Sequence, residues 1–194
     1  MSTPALKKTK LVMVDLDNTL VFTMKANFEA YRRALNEYGF DLTLEHYAHN
    51  CDGKSYRSFL PELVGGSAEL IEAVHERKIE IYRQCLDQAE VNAPLVDILR
   101  ALKGEYYIAL VTTATRRNVE RILAHFQLAG LFDAVITQED VLHGKPDPCC
   151  YNMVIERFGV ERSRCIIFED SATGIAAARA SGCQTFCVKK GDKR

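Results

Sequence analysis

The stretch Leu11–Phe22, LVMVDLDNTLVF, decides how the chain is read. Leu11–Val14 is short and wholly apolar, the pattern of a central parallel strand buried on both faces. Two aspartates, Asp15 and Asp17, follow at once, and the chain then turns apolar again. An unpaired carboxylate in apolar surroundings costs several kcal/mol or more. A buried strand that ends in two acids therefore implies partners for them.

Outward from that strand the texture is first helical. Phe28, Tyr31, Leu35 and Tyr38 recur at helical spacing over 26–38, and Gly39 ends the pattern. Ile71, Val74, Tyr82 and Cys85 mark a second helix over 68–88, after a turn at Gly65-Gly66. Nothing between Phe22 and Glu90 reads as a strand. After Asn92-Ala93-Pro94 strands and helices alternate: helix 95–102, strand 107–111, helix 118–126, strand 134–136, helix 149–158, strand 165–168, helix 173–180 and strand 184–188. That alternation implies βαβ units and a parallel sheet covered on both faces. Leu11–Val14 must join this sheet, since alone it buries nothing. The expected fold class is α/β, with residues 1–21 and 91–194 forming one domain and 22–90 a small all-α insert.

Composition fits this reading. The 194 residues are 47% hydrophobic and 26% charged with net charge -1, an ordinary soluble globular balance. A broad nucleic-acid footprint would need a basic excess, so no nucleic-acid partner is expected, and Lys7-Lys8 and Lys189-Lys190 read as solvated ends. The start, MSTPALKKTK, has no apolar run of a secretory signal. No apolar run approaches the roughly 20 residues that cross a bilayer. The seven cysteines lack CxxC spacing, which reads as reduced thiols of a cytoplasmic protein, with Cys165, Cys183 and Cys187 in apolar surroundings. His46 and His49 read as surface or capping residues.

Polar residues gather where the strands end, the edge at which open parallel sheets bind ligands. Asp15, Asp17 and Thr19 follow the first strand, Thr112-Thr113 the second, and Glu169-Asp170-Ser171 the strand 165–168; Gly144-Lys145-Pro146-Asp147-Pro148 lies in the loop after 134–136. Asp15, Glu169 and Asp170 are hard oxygen ligands suited to a magnesium ion that also takes a phosphate oxygen. Asp15 can attack phosphorus to form an aspartyl-phosphate, and Asp17 can protonate the leaving oxygen and later deprotonate water. Lys145 and Thr112 suit the phosphoryl oxygens. Singly, these residues are also turn formers, a helix cap, a solvated lysine and a charged helix start. Together, in this order, they make a phosphoryl-transfer site.

The motifs DLDNTL (15–20), VTTAT (111–115), GKPDP (144–148) and FEDSATGIAAARASG (168–182) resemble the haloacid dehalogenase superfamily over nearly the whole chain, in the branch of β-phosphoglucomutase and many small phosphatases. The resemblance implies a Rossmann-like core with a helical cap inserted after the first motif, at 22–90. It implies Asp15 as nucleophile, Asp17 as acid/base, and Thr112, Thr113 and Lys145 as phosphate-binding residues. Magnesium would be held by Asp15, Glu169, Asp170 and the Asp17 backbone carbonyl. The cap loop CDGKSYRS (51–58) carries the family's substrate-loop glycine as Gly53, which makes Lys54, Ser55 and Arg57, with Lys25 and Asn27, candidate substrate contacts.

Three departures sharpen the expectation. Asn18 replaces a common glycine in a turn whose left-handed backbone asparagine tolerates. VFTMKANFEAY replaces the mutases' acid-Ser-Glu stretch, with Asn27 near their histidine, and Asn92-Ala93-Pro94 replaces a Pro-Gly. The expected activity is a magnesium-dependent phosphatase acting, as a monomer, on a small phosphorylated metabolite, with no membrane partner. The alternatives are a sugar-phosphate mutase and a phospho-ligand-binding regulatory protein.

Overall fold

The structure is a computed structural model that describes residues 7–189. In chain order the elements are β1 (Lys10–Val14), β2 (Val21–Phe22), α1 (Met24–Glu37), α2 (Leu44–His46), α3 (Tyr56–Leu63), α4 (Ala68–Cys85) and β3 (Glu90–Val91). There follow α5 (Ala93–Leu102), β4 (Tyr106–Val111), α6 (Arg116–His125), β5 (Ala134–Ile136), α7 (Cys149–Phe158), β6 (Cys165–Glu169), α8 (Ala172–Ala180) and β7 (Gln184–Cys187). By its contacts the chain divides into one unit of 1–21 with 91–194 and a second of 22–90.

The first unit is built on a five-stranded sheet in the order β5-β4-β1-β6-β7, and every pairing is parallel. β1 lies at its centre because each of its apolar residues can be covered: Leu11, Val12, Met13 and Val14 are all fully buried. Leu11 and Met13 share one face with Ala109, Val111 and Ile167, packed against Tyr151, Val154 and Ile155 of α7 and Ala177 and Ala178 of α8. Val12, Val14, Ile108 and Leu110 point to the other face and are equally inaccessible. The expected α/β class with a parallel sheet covered on both faces is thus the observed one.

Asn92 anchors the return of the chain to this unit. Its Nδ2 donates to the Thr19 carbonyl at 3.0 Å, its N–H donates to the Leu20 carbonyl at 2.9 Å, and its Oδ1 accepts from Leu95 N at 3.3 Å to cap α5. Pro94 then occupies the first turn of the helix, where its missing N–H leaves no bond unmade.

The second unit is helical. Tyr31 of α1 packs its ring against Phe59 of α3 at 5.1 Å, with Tyr47 beside both. Lys78 of α4 is buried, donates to Asn27 Oδ1 at 2.7 Å, and sits over the rings of Tyr31 and Tyr82. His75 stacks on Tyr56 at 3.5 Å, and its Nδ1 lies 3.3 Å from the Tyr31 hydroxyl.

Burial and the charge of Lys78 lower the His75 pKa to about 4. A depressed folded-state pKa supplies stability above the ordinary value of about 6.5, which is lost as pH falls towards about 4. We expect wild type to lose more stability than His75→Phe between about pH 7 and about pH 4.5. Urea midpoints at the two pH values check this, and parallel losses would remove the histidine as the cause.

Several expectations need correction. The helix over 68–88 ends at Cys85, and 86–88 is a tighter turn. The two crossings between the units form a short β2–β3 ribbon at the limits of the block that reads as strand-free. Cys187 is exposed, because it lies on the edge strand β7, whereas Cys165 and Cys183 are buried. Lys8 is tied down, donating to the Tyr106 carbonyl at 2.9 Å; Lys190 and the first six residues lie outside the described residues.

Candidate active site

Sheet topology fixes the place of the site. The chain visits β1, β4 and β5 on one side of β1, then crosses to β6 and β7 on the other. Loops leaving β1 and β6 diverge, and ligands of open α/β sheets bind at such a switch point, beyond the carboxyl ends of the strands. Asp15 is the first residue after β1, its N–H donating to the Phe168 carbonyl at 3.0 Å. Glu169 ends β6, and Thr112 follows β4 with its N–H on the Ile136 carbonyl at 3.0 Å. Asn18 takes a φ of +59°, and its N–H donates to the Val21 carbonyl at 2.7 Å. This tight turn brings the next residue, Thr19, back to the sheet edge, where its Oγ1 donates to Asp170 Oδ1 at 2.9 Å.

Lys145 stands at the centre. Its Nζ donates to Asp15 Oδ1 at 2.6 Å, to Glu169 Oε1 at 2.5 Å and to the Val111 carbonyl at 3.1 Å. The side chains of Lys145, Asp15 and Glu169 are 4%, 9% and 0% exposed. The loop residue of the sequence is therefore a buried counter-charge.

Glu169 is held more completely than any other acid here. Besides Lys145, its Oε1 accepts from the Tyr151 hydroxyl at 3.2 Å. Its Oε2 accepts from Asp170 N at 2.9 Å and from Ser171 N and Oγ, both at 3.1 Å. Five donors more than fill the roughly four lone-pair sites of a carboxylate, which makes Glu169 the group that orients Lys145 and the Asp170 backbone.

Gly174 of α8 leaves the space for this carboxylate, since a Cβ there would lie 1.8 Å from Glu169 Oε1. Replacing an ordinary helical glycine by alanine gains up to about 1 kcal/mol. Gly174→Ala should do the reverse, destabilising by about 1–3 kcal/mol through overpacking and lowering turnover. A urea midpoint at or above that of wild type would contradict the packing.

The charges do not balance within the protein. Oxygens of Asp15, Glu169 and Asp170 all lie within 4.8 Å of one another, with Lys145 as the cation bonded to two of them. Burial raises the Asp15 pKa, Lys145 opposes the rise, and Glu169 and Asp17 add to it, the net result being about 8. Burial also raises Asp170, against the Thr19 hydrogen bond. Lys145 would be lowered by burial, but Asp15, Tyr151 and Glu169 hold it well above its ordinary value. Three hard carboxylates around one lysine form a donor set that fits a small divalent cation such as magnesium.

A family profile described as haloacid dehalogenase-like hydrolase matches residues 12–188. The chain belongs to that family. Among its relatives is a fructose-1-phosphate phosphatase of Escherichia coli, 30% identical over 92% of this chain and 95% of the relative. A phosphorylated carbohydrates phosphatase of Thermotoga maritima is 31% identical over 88% and 81%. The solved structure of CbbY from Rhodobacter sphaeroides, in complex with phosphate, superposes with a TM-score of 0.77, covering 91% of this chain and 84% of that one at 21% identity, and shows the shared fold.

For a haloacid dehalogenase-like hydrolase, the core residues expected from the sequence fall into three groups. Asp15, Lys145, Glu169 and Asp170 meet directly. Thr112 and Thr113 line, with Lys145, Gln138 and Leu142, a cavity of about 260 Å³; the Thr112 Oγ1 accepts from Ala114 N at 3.0 Å, while Thr115, not Thr112, caps α6. Asp17 is half-buried, outside the group of three converging carboxylates.

In the helical unit Lys25, Gly53, Lys54, Ser55 and Arg57 are exposed. Arg57 is paired with Glu72 at 3.1 Å, and Asn27 with Lys78. Sequence reasoning missed Tyr151 and Gly174 as supports of Glu169. It noted Thr19 and Ser171 beside the acids without giving either a role; their hydroxyls, so close to a cluster of carboxylates, were the available signal.

Proposed function

We propose that the chain is a magnesium-dependent phosphatase that hydrolyses a small phosphorylated metabolite through a phosphoryl–Asp15 intermediate. The observation that carries this reading is the buried Lys145 bridging Asp15 and Glu169 beside Asp170. A lysine and three carboxylates at a sheet switch point suit a phosphoryl group bound together with a divalent cation. The relatives named for sugar-phosphate hydrolysis support the substrate class.

Asp15, Glu169, Asp170 and the Asp17 carbonyl would hold the magnesium ion, which when bound neutralises phosphoryl charge. Lys145 fixes Asp15 through Oδ1, so that the carboxylate meets phosphorus in one orientation. As the Asp15 oxygen–phosphorus bond forms, the bond to the leaving oxygen breaks, and Asp17 gives that oxygen its proton. Asp17 then takes a proton from water, which attacks the phosphoryl–Asp15, releases phosphate and restores both acids. Thr112 and Thr113 donate to the phosphoryl oxygens, and Lys145 sets its positive charge beside them as negative charge grows there. Lys25, Asn27, Gly53, Lys54, Ser55 and Arg57 are assigned to the leaving group. The same reading has the protein act as a cytoplasmic monomer without nucleic-acid or membrane partners; among the described residues no helix is long and apolar enough to cross a membrane.

The test is phosphate release from p-nitrophenyl phosphate and a panel of sugar phosphates, with magnesium and after its removal by chelation. Turnover unaffected by chelation would refute the metal dependence. β-Glucose 1-phosphate distinguishes hydrolysis, which frees phosphate, from a mutase, which yields glucose 6-phosphate. Asp17→Asn should lower kcat by roughly 10²–10⁴-fold. The loss should be larger for sugar phosphates, whose alkoxide needs the proton, than for p-nitrophenyl phosphate, whose phenolate does not.

A further inference from the structure

Two cysteines face each other at the end of the sheet away from the carboxylates. β6 and β7 pair in parallel with Ile166 opposite Gln184, so one residue back Cys165 of β6 lies beside Cys183, the residue that leads into β7. Both belong to the same apolar core, Cys165 fully buried and Cys183 9% exposed. Each thiol shifts the proton affinity of the other. Paired strands lie about 4.8 Å apart, within the Cα separation of roughly 4.4–6.8 Å that a disulfide spans.

Their surroundings differ. The Cys165 thiol donates to the Glu161 carbonyl at 3.3 Å. Gly182, at a φ of +77°, turns the chain into Cys183. Arg162 is fixed beside that turn, bonded to Asn152 Oδ1 at 2.6 Å and to the Ser181 carbonyl. Cys165 lowers the Cys183 thiol to about 6 against the effect of burial, with help from Ser181 and from the Arg162 charge, while Cys183 in turn pushes Cys165 up. Of the two, Cys183 is the one that solvent reaches, at 9% against 0%, so it is placed to attack and the enclosed Cys165 beside it to resolve.

We propose that Cys165 and Cys183 form an oxidisable dithiol, which reduces a hydroperoxide and closes to a disulfide between the start of β6 and the turn into β7. The Cys183 sulfur attacks one peroxide oxygen, the O–O bond breaks, and the other oxygen leaves as water or alcohol with a proton, giving a sulfenic acid. The Cys165 sulfur then attacks the Cys183 sulfur, the S–O bond breaks, and water departs with the hydroxyl and the Cys165 proton. The two thiols lose two hydrogens and two electrons in all, and the peroxide gains them.

The test exposes the whole chain, folded, to limiting hydrogen peroxide, then alkylates it in denaturant and maps the peptides. The expected first product is an intramolecular Cys165–Cys183 cross-link, with Cys149 and Cys187 still alkylated at that dose. Cys183→Ser should abolish the cross-link. Cys165→Ser should abolish it and leave a sulfenic acid at Cys183 that dimedone traps. Prior consumption of Cys149 or Cys187, or oxidation of Cys183 in wild type without a cross-link, would overturn the proposal.

Discussion

Asp15→Asn is expected to abolish phosphate release while leaving the metal-free fold as stable as wild type, or more so. The amide keeps the shape of the carboxylate but cannot attack phosphorus, and removal of a nucleophile lowers turnover on the order of 10⁴-fold or more. Wild type quenched in acid during turnover should retain a hydroxylamine-labile phosphoryl group on Asp15, and the variant none. Stability moves the other way because of crowding. Asp15 lies within 4.8 Å of Glu169 and Asp170, and a pKa raised to about 8 means that the metal-free site prefers it uncharged near neutral pH. The amide resembles that uncharged form. Magnesium at a hundredfold excess over its Kd would add about 2.7 kcal/mol to wild type by mass action, and much less to the variant. Equal turnover in the two proteins would end the nucleophile assignment; a metal-free variant several kcal/mol weaker than wild type would end the crowding argument.

The sheet was legible because its centre has to be apolar throughout: LVMV, YIALV and CIIF read as strands from composition alone. β5 and α7 appear at the expected residues, 134–136 and 149–158, because turn-forming or helix-ending residues bound them. Asn18 was legible too, since the left-handed backbone it adopts is one that asparagine tolerates. What escaped depends on partners far apart in the chain. Glu169 reads as a metal ligand in sequence, yet its five hydrogen bonds come from Lys145, Tyr151, Asp170 and Ser171, and only the last two adjoin it. The need for glycine at 174 arises from the carboxylate across the turn, not from the helix. Lys78 looks like any charge on an amphipathic helix until Asn27 and two tyrosine rings enclose it. The thiols show the same limit: Cys183 and Cys187 are four residues apart, and only the position of β7 at the sheet edge separates a buried one from an exposed one.

Lys145→Met should produce the largest loss of stability of any single substitution in the site. Methionine fills the volume but removes a cation bonded to two acids whose side chains are 9% and 0% exposed. Breaking a buried ion pair by removing one partner destabilises by about 3–5 kcal/mol, because the remaining charge is left uncompensated. Part of that loss is avoidable where Asp15 can take a proton. Lys145 holds the Asp15 pKa down against burial, so its removal raises that pKa further and the penalty appears as pH rises. The variant should thus lie closer to wild type at about pH 6.5 than at about pH 9.5, since wild-type Asp15 ionises only above about 8. Magnesium should return stability to the variant by supplying positive charge to the same carboxylates. Turnover should stay low, since an ion held by the acids cannot replace the lysine that fixes Asp15 through Oδ1. Urea unfolding at both pH values, with and without magnesium, reads the first effect, and phosphate release the second. A loss below about 1 kcal/mol at about pH 9.5 would mean that water already screens the cluster, and full turnover with magnesium would mean that Lys145 serves only the fold.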